Sequence, residues 1–236
     1  MTKTSVAKWD VEHLVIRYGQ HKPPNGAVKA CAMEAAYLRW AMRQGWAKKK
    51  IVAGWTDRLD CVDGYIGGFV RNWNDSLRSD EDRTRIFTLD LLDILPGTAG
   101  GYVLMLRRMW MGIDWDIRTR TVAFLRLAKL TADADALATL PEIVSQSQLT
   151  DAREIVQAAA KRAVAAGDAA WAAAWAAARA AAWDAARDAA GVAAGDAARD
   201  AAWDAAWDAA WVALRPTVEA MQASAVDLLR RMCAAR

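Results

Sequence analysis

Residues 165–212 read AAGD AAWA AAWA AARA AAWD AARD AAGV AAGD AARD AAWD AAWD AAWV, twelve four-residue units without a slip. Ala fills the first two places of every unit, Trp, Arg or Gly the third, and mostly Asp the fourth. Ala is the best helix former and is depleted in strands, and the tract holds almost no β-branched residue. It therefore reads as helix. Four residues advance about 400° around an α-helix, so the third-place column drifts by about 40° per unit. As one helix the 48 residues would extend about 72 Å, against a radius of gyration of about 18 Å for a compact chain of 236 residues. These two facts favour a break, with Gly191 as the C′ residue, Val192 to Gly195 as the turn and Asp196 as an N-cap. An αα-hairpin results, with an unbroken helix as the alternative. Trp171, Trp175, Arg179 and Trp183 fall in one arm, and Trp203, Trp207 and Trp211 in the other. These residues are the candidate interface, through core packing, Arg–Trp stacking or a homo-oligomer. Seven Asp against three Arg make the tract a poor nucleic-acid platform.

Outward from the tract, helical spacing continues. Val28, Cys31, Ala35, Leu38 and Met42 form an apolar stripe ending at Gly45. Val62, Ile66, Phe69 and Trp73 mark another helix. Ser79 or Asp80 caps a helix through Leu95, stopped by Pro96-Gly97. Val103, Leu106, Trp110, Ile113 and Ile117 form a further stripe, and shorter helices are expected near 120–130 and 132–140. Pro141 is read as opening one more, Thr150 as capping the Ala-rich segment, and Pro216 as the first turn of a last helix over 216–235. Residues 9–18 read as a short amphipathic helix in preference to a strand, and Trp46 to Asp60 as a polar connector. The class is all-α, a bundle of eight or nine helices. The expected division is an N-terminal helical domain, 1–150, and a tract-plus-helix portion, 151–236.

Charge and cysteine usage narrow the function. A net charge of +3 from 31 basic and 28 acidic residues gives no argument for nucleic acid or an anionic membrane. Cys31, Cys61 and Cys233 have no zinc or disulfide spacing. The only histidines, His13 and His21, belong to no metal motif. No signal peptide or spanning segment is legible, so a cytoplasmic, soluble chain without cofactor or metal is expected.

Three residues stand as catalytic candidates. Glu34 flanks an apolar stripe, Asp75 follows Asn74 at a helix end, and Cys61 sits near a helix start, where a thiol can be activated. Asp57, Asp60 and Asp63 suit the positive end of the helix they precede better than a metal. The one basic–aromatic cluster is Arg39, Trp40, Arg43, Trp46, Lys48, Lys49, Lys50 and Trp55. It is the candidate site for a small phosphate-bearing ligand.

The run Cys31-x-Met33-Glu34-Ala35, Asp57 to Cys61, Ile66 to Trp73-Asn74-Asp75, and Arg83 to Leu95-Pro96-Gly97-Thr98 resembles an uncharacterised all-α family of phages and actinobacteria with an Ala/Arg/Trp-rich tail. Arg58-Leu59-Asp60 stands here where that family has a His-Pro before the cysteine. The resemblance implies a phage or prophage setting in a host bacterial cytoplasm. It fits a non-catalytic protein that sequesters a ligand or host protein, as in counter-defence against a nucleotide signal. The alternatives are an assembly protein joined through the Ala–Trp repeat and a helical-bundle enzyme using Glu34 and Asp75.

Overall fold

In a computed structural model the described residues are 9, 13–24, 27–167 and 192–236, with side chains described outside 192–211. The class is all-α, with a helix count close to the eight or nine expected. By internal packing the chain divides into two units, Met1–Gly112 with Ser224–Arg236, and Ile113–Ala223.

The first unit opens on a departure from the sequence reading. Residues 13–18 are not helical. Val15–Ile16 (β1) pairs in parallel with Lys29–Ala30 (β2), in register Val15 to Lys29 and Ile16 to Ala30. Ile16 and Ala30 face the core at 1% and 0% exposure, so the apolar run that suggested a helix face is a buried extended edge. Val28 likewise precedes the helix it was assigned to.

Helix α1 spans Ala32–Arg43 and buries Ala35, Leu38 and Ala41 against α3 and α5. Its end turns on Gly45, whose φ of +67° suits the left-handed position glycine tolerates. The expected connector contains a helix, α2 (Lys48–Ala53), anchored by fully buried Ile51.

Helix α3 (Gly64–Ser76) begins at Asp63, whose carboxylate accepts from the Tyr65 and Ile66 amides. Ser79 caps α4 (Asp80–Ile86) as expected. The helix does not run on to Leu95, because Phe87 and Thr88 leave helical geometry before α5 (Leu89–Asp93). Phe87 is 2% exposed and packs edge-on to Trp73, so core packing overrides local helix continuation.

Helix α6 (Gly101–Trp115) passes into a π-helical turn, Asp116–Thr121, and then α7 (Val122–Leu127). The stripe read from sequence is not its buried side. Val103 is 81% exposed, whereas Arg108, Gly112 and Trp115 are buried. At about 100° per residue those three lie opposite Val103, Leu106 and Trp110.

In the second unit α8 (Thr131–Ala138) packs on α7. Pro141 does not open a helix. The next one, α9 (Gln146–Asp151), starts from the Ser145 hydroxyl cap. Thr150 lies inside α9, its hydroxyl donating to the Gln146 carbonyl, so it caps nothing downstream. Residues 153–167 form α10. The Arg162 guanidinium of α10 grips the Asp133 carboxylate of α8, with Nε 2.8 Å from both oxygens. Those hydrogen bonds, aided by the guanidinium charge, hold the Asp133 carboxyl below its ordinary range. A depressed carboxyl stabilises the fold above its unfolded pKa, and the contribution disappears as pH falls through the folded value. Asp133→Asn is therefore expected to lose stability at neutral pH and to flatten the acid limb of a circular-dichroism unfolding titration.

The last helix, α11, runs unbroken over Val192–Ala234 with Pro216 inside it. Gly195 and Asp196 are thus helical, not a turn and an N-cap, and Pro216 does not start a helix. Ala neighbours in continuous helical register outweigh one soft breaker. Gly191, Trp171, Trp175, Arg179 and Trp183 lie outside the described residues. Trp203, Trp207 and Trp211 stand on α11 at four-residue spacing. Among the described residues no helix is long and apolar enough to cross a membrane.

Candidate functional site

The start of α1 is a capping box built on cysteine. The Glu34 amide donates to the Cys31 sulfur at 3.5 Å, and the Glu34 carboxylate accepts from the Cys31 amide at 2.9 Å. The spacing is that of Ser/Thr-x-x-Glu, with sulfur in place of the hydroxyl. Glu34 is 1% exposed, yet its carboxylate is well provided with donors. Besides Cys31 it receives the His21 amide at 2.7 Å and the Trp55 indole N–H at 3.2 Å, and it contacts His21 Nδ1 at 3.2 Å. The same indole N–H also points to the His21 carbonyl at 2.9 Å. One buried carboxylate therefore ties together the Lys22-Pro23-Pro24 loop entry, α1 and the segment after α2.

Asn74 and Asp75 complete this region from α3. The Asn74 side chain accepts from the Ala32 amide at 3.3 Å and donates to the Arg17 carbonyl at 2.9 Å. Asp75 accepts from the Gly19 amide at 3.1 Å and from Asn74 at 3.0 Å. The structure thus brings the Cys31–Glu34 and Asn74-Asp75 segments to one helix start, where both carboxylates hold backbone. Cys61 does not join them. Its carbonyl accepts from the Gly97 and Ala99 amides at 2.8 and 3.2 Å, fastening the turn after α5.

Desolvation on burial pushes the Cys31 thiol up to about 12, and the Cys233 thiol, also buried, up to about 11. Neither is a thiolate at neutral pH. Cys61 is only partly buried. Iodoacetamide is accordingly expected to alkylate Cys61 alone in the folded protein and all three cysteines in denaturant, as read by mass-mapped labelling.

The basic–aromatic cluster divides in two. Arg39 makes a bidentate pair with Asp93 of α5, both distances 2.6 Å, and Arg43 reaches the same carboxylate at 2.9 Å. These hydrogen bonds raise the Arg39 pKa further and fix α1 to α5. The other residues form a surface. Trp40 and Trp46 meet edge to face at 5.0 Å between centroids, and Tyr37 lies between them and Trp55 at 6.1–6.5 Å. Lys50 places its ammonium 3.6 Å above the Trp46 ring, and Lys48 lies 5.2 Å from the Trp9 ring. Lys48, Lys49 and Lys50 are exposed. None of the three has a carboxylate partner among the described residues.

Asp93→Ala is expected to cost about 1 kcal/mol, the magnitude of a half-exposed ion pair. It would also release two guanidinium groups beside this surface. Urea melts and phosphate affinity measure the two effects separately.

Two contributors escaped the sequence reading. Tyr37 lies outside the apolar stripe of α1, and its hydroxyl donates to the Ile51 carbonyl at 3.0 Å. His21 lies thirteen residues before Glu34, and no local spacing connects them. The visible signal was Cys31-x-x-Glu34 itself, which predicts a carboxylate turned back on its own helix start. Among the described residues no group of three His, Cys, Asp or Glu side chains is placed to hold a metal ion. No family model, curated protein or solved structure matches the chain.

Proposed function

We propose that the α1–α2 corner binds a phosphate-bearing ligand with a flat ring, of the nucleotide class, and that the protein acts by holding it. The observation that carries this reading is Lys50 over Trp46 within the Tyr37–Trp40–Trp46–Trp55 cluster. The half-buried Trp40, Trp46 and Trp55 rings offer stacking and neighbouring ammonium groups offer charge to phosphate. Asp93 neutralises one of the two charges of Arg39 and Arg43 and holds both guanidinium groups, so most of the charge open to a ligand is that of Lys48, Lys49 and Lys50. Glu34 and Asp75 hold backbone amides, which favours binding over their use in acid–base chemistry. The family resemblance supports a phage or prophage setting, in which capturing a host nucleotide signal in the bacterial cytoplasm is counter-defence.

Thermal-shift screening against nucleotides and cyclic nucleotides tests the proposal. Ligand at a hundred times its Kd stabilises by about 2.7 kcal/mol. A K48E/K49E/K50E variant should lose the shift. Absence of a shift with every member of the panel overturns the reading.

A second reading rests on α11. Its 43 residues extend about 64 Å at 1.5 Å each, with Trp203, Trp207 and Trp211 in the N-terminal half. Such a helix suits assembly with other copies of the chain. Light scattering decides it, since a monomer at tens of micromolar excludes this role.

A further inference from the structure

We propose that His21 is a nucleophilic imidazole that accepts a phosphoryl group on Nε2 from a small activated phosphoryl donor. The argument begins at Glu34. Each of its other partners, the amides of His21 and Cys31 and the Trp55 indole, is an N–H donor, so its oxygens accept. His21 Nδ1 then carries the proton toward Glu34, and the lone pair resides on Nε2.

Burial separates the two edges of this pair. The Glu34 side chain is 2% exposed and that of His21 is 23%. His21 Nε2 has no partner among the described residues. It is also absent from their buried unpartnered atoms, which are Trp9 Nε1 and the Nε atoms of Arg17 and Arg118. The ring is thus exposed at its nucleophilic edge.

Orientation is set twice by one carboxylate, which holds both the His21 amide and Nδ1, while the Trp55 indole clamps the His21 carbonyl. A carboxylate behind Nδ1 fixes that tautomer and balances the positive charge the ring gains when it is phosphorylated. Cys31, the other nucleophile of this region, is kept as a buried thiol. Lys22, the next residue along the loop, is exposed.

With phosphoramidate the step balances simply. The Nε2 lone pair forms the N–P bond, the donor's P–N bond breaks, and ammonia leaves with the bonding pair. The Nδ1 proton stays between the ring and Glu34, whose negative charge compensates the cationic phosphoimidazole. No oxidant or metal enters. The inference draws on the binding reading only for the phosphate-bearing class of donor, and the His21–Glu34 geometry stands apart from it.

The full chain treated with phosphoramidate at neutral pH supplies its own control, because the same histidine can be read folded and in urea. Mass mapping should place an acid-labile, alkali-stable phosphoryl group on His21, formed about 10-fold faster in the folded chain than in the unfolded one, the low end of what a carboxylate behind a histidine contributes at metal sites. Phosphorus NMR should assign it to Nε2. Glu34→Gln should reduce the folded rate on His21 to that of the unfolded chain. If that variant does not fold, the folded-to-unfolded ratio at His21 and the assigned nitrogen decide the matter in the native chain. Equal rates in the folded and unfolded chains, or attachment at Nδ1, would overturn the proposal. Labelling of His21 without any nucleotide-induced thermal shift would overturn the binding reading alone, and the reverse pattern would overturn this one alone.

Discussion

Arg108→Ala is expected to lower folding stability by about 3–5 kcal/mol, the cost of leaving a buried charge without its partner. Arg108 is 0% exposed, and its guanidinium has few degrees of freedom left. It pairs with Asp63 at 3.0 Å, donates through Nε to the Met232 carbonyl at 2.9 Å and through Nη2 to Ala235 at 3.1 Å, and reaches the Thr98 carbonyl. Met232 belongs to the last turn of α11 and Ala235 lies just past its end, where carbonyls have no helical partner of their own. Asp63 meanwhile caps α3, and its amide donates to the Thr98 hydroxyl at 3.1 Å. Alanine at 108 therefore strands Asp63, Thr98 and the end of α11 together. Arg107→Ala is the control. Arg107 is exposed and among the described residues reaches only the Arg236 carbonyl, at 3.2 Å, so a change within about 0.5 kcal/mol is expected. Urea unfolding of both variants measures the contrast. A loss below about 1 kcal/mol for Arg108→Ala would show that water replaces these contacts freely.

Glu34→Ala is the second large effect, with an expected cost of about 2–4 kcal/mol. The methyl group leaves the Cys31 and His21 amides without an acceptor and removes one of the two partners of the Trp55 N–H. Glu34→Gln keeps one acceptor oxygen but introduces an NH2 group among donors, so it should recover only part of the loss. The local readout is the Trp55 indole N–H resonance, whose group loses a charged neighbour. Thermal unfolding followed by circular dichroism should show a lower midpoint for alanine than for glutamine, and both below the native chain.

Legibility differed from element to element for physical reasons. The α1 stripe and the Ser79 and Asp63 caps were readable because helical period and capping are local. The parallel pairing of Val15–Ile16 with Lys29–Ala30 was not, because each strand is two residues long and period-2 alternation needs more. Helix α2 was hidden by three consecutive lysines whose only inward residue is Ile51. The buried side of α6 was misread because its most buried residue is an arginine, and periodicity assigns charge to solvent. The α11 register passed through Gly195 and Pro216 because a helix with many neighbouring turns absorbs single breakers.

The candidate site was legible as a list of residues but not as an arrangement. Arg39 and Arg43 looked free until α5 brought Asp93 to them, fifty residues along the chain. The His21–Glu34 contact depends on a loop held by Trp55, a tertiary fact with no trace in spacing.

The most direct test of the binding corner is a titration of the indole N–H resonances with a nucleoside diphosphate. The resonances of Trp40, Trp46 and Trp55 should move saturably together and stay fixed in the K48E/K49E/K50E variant. Unmoved corner indoles, or shifts confined to Trp203, Trp207 and Trp211, would contradict the account.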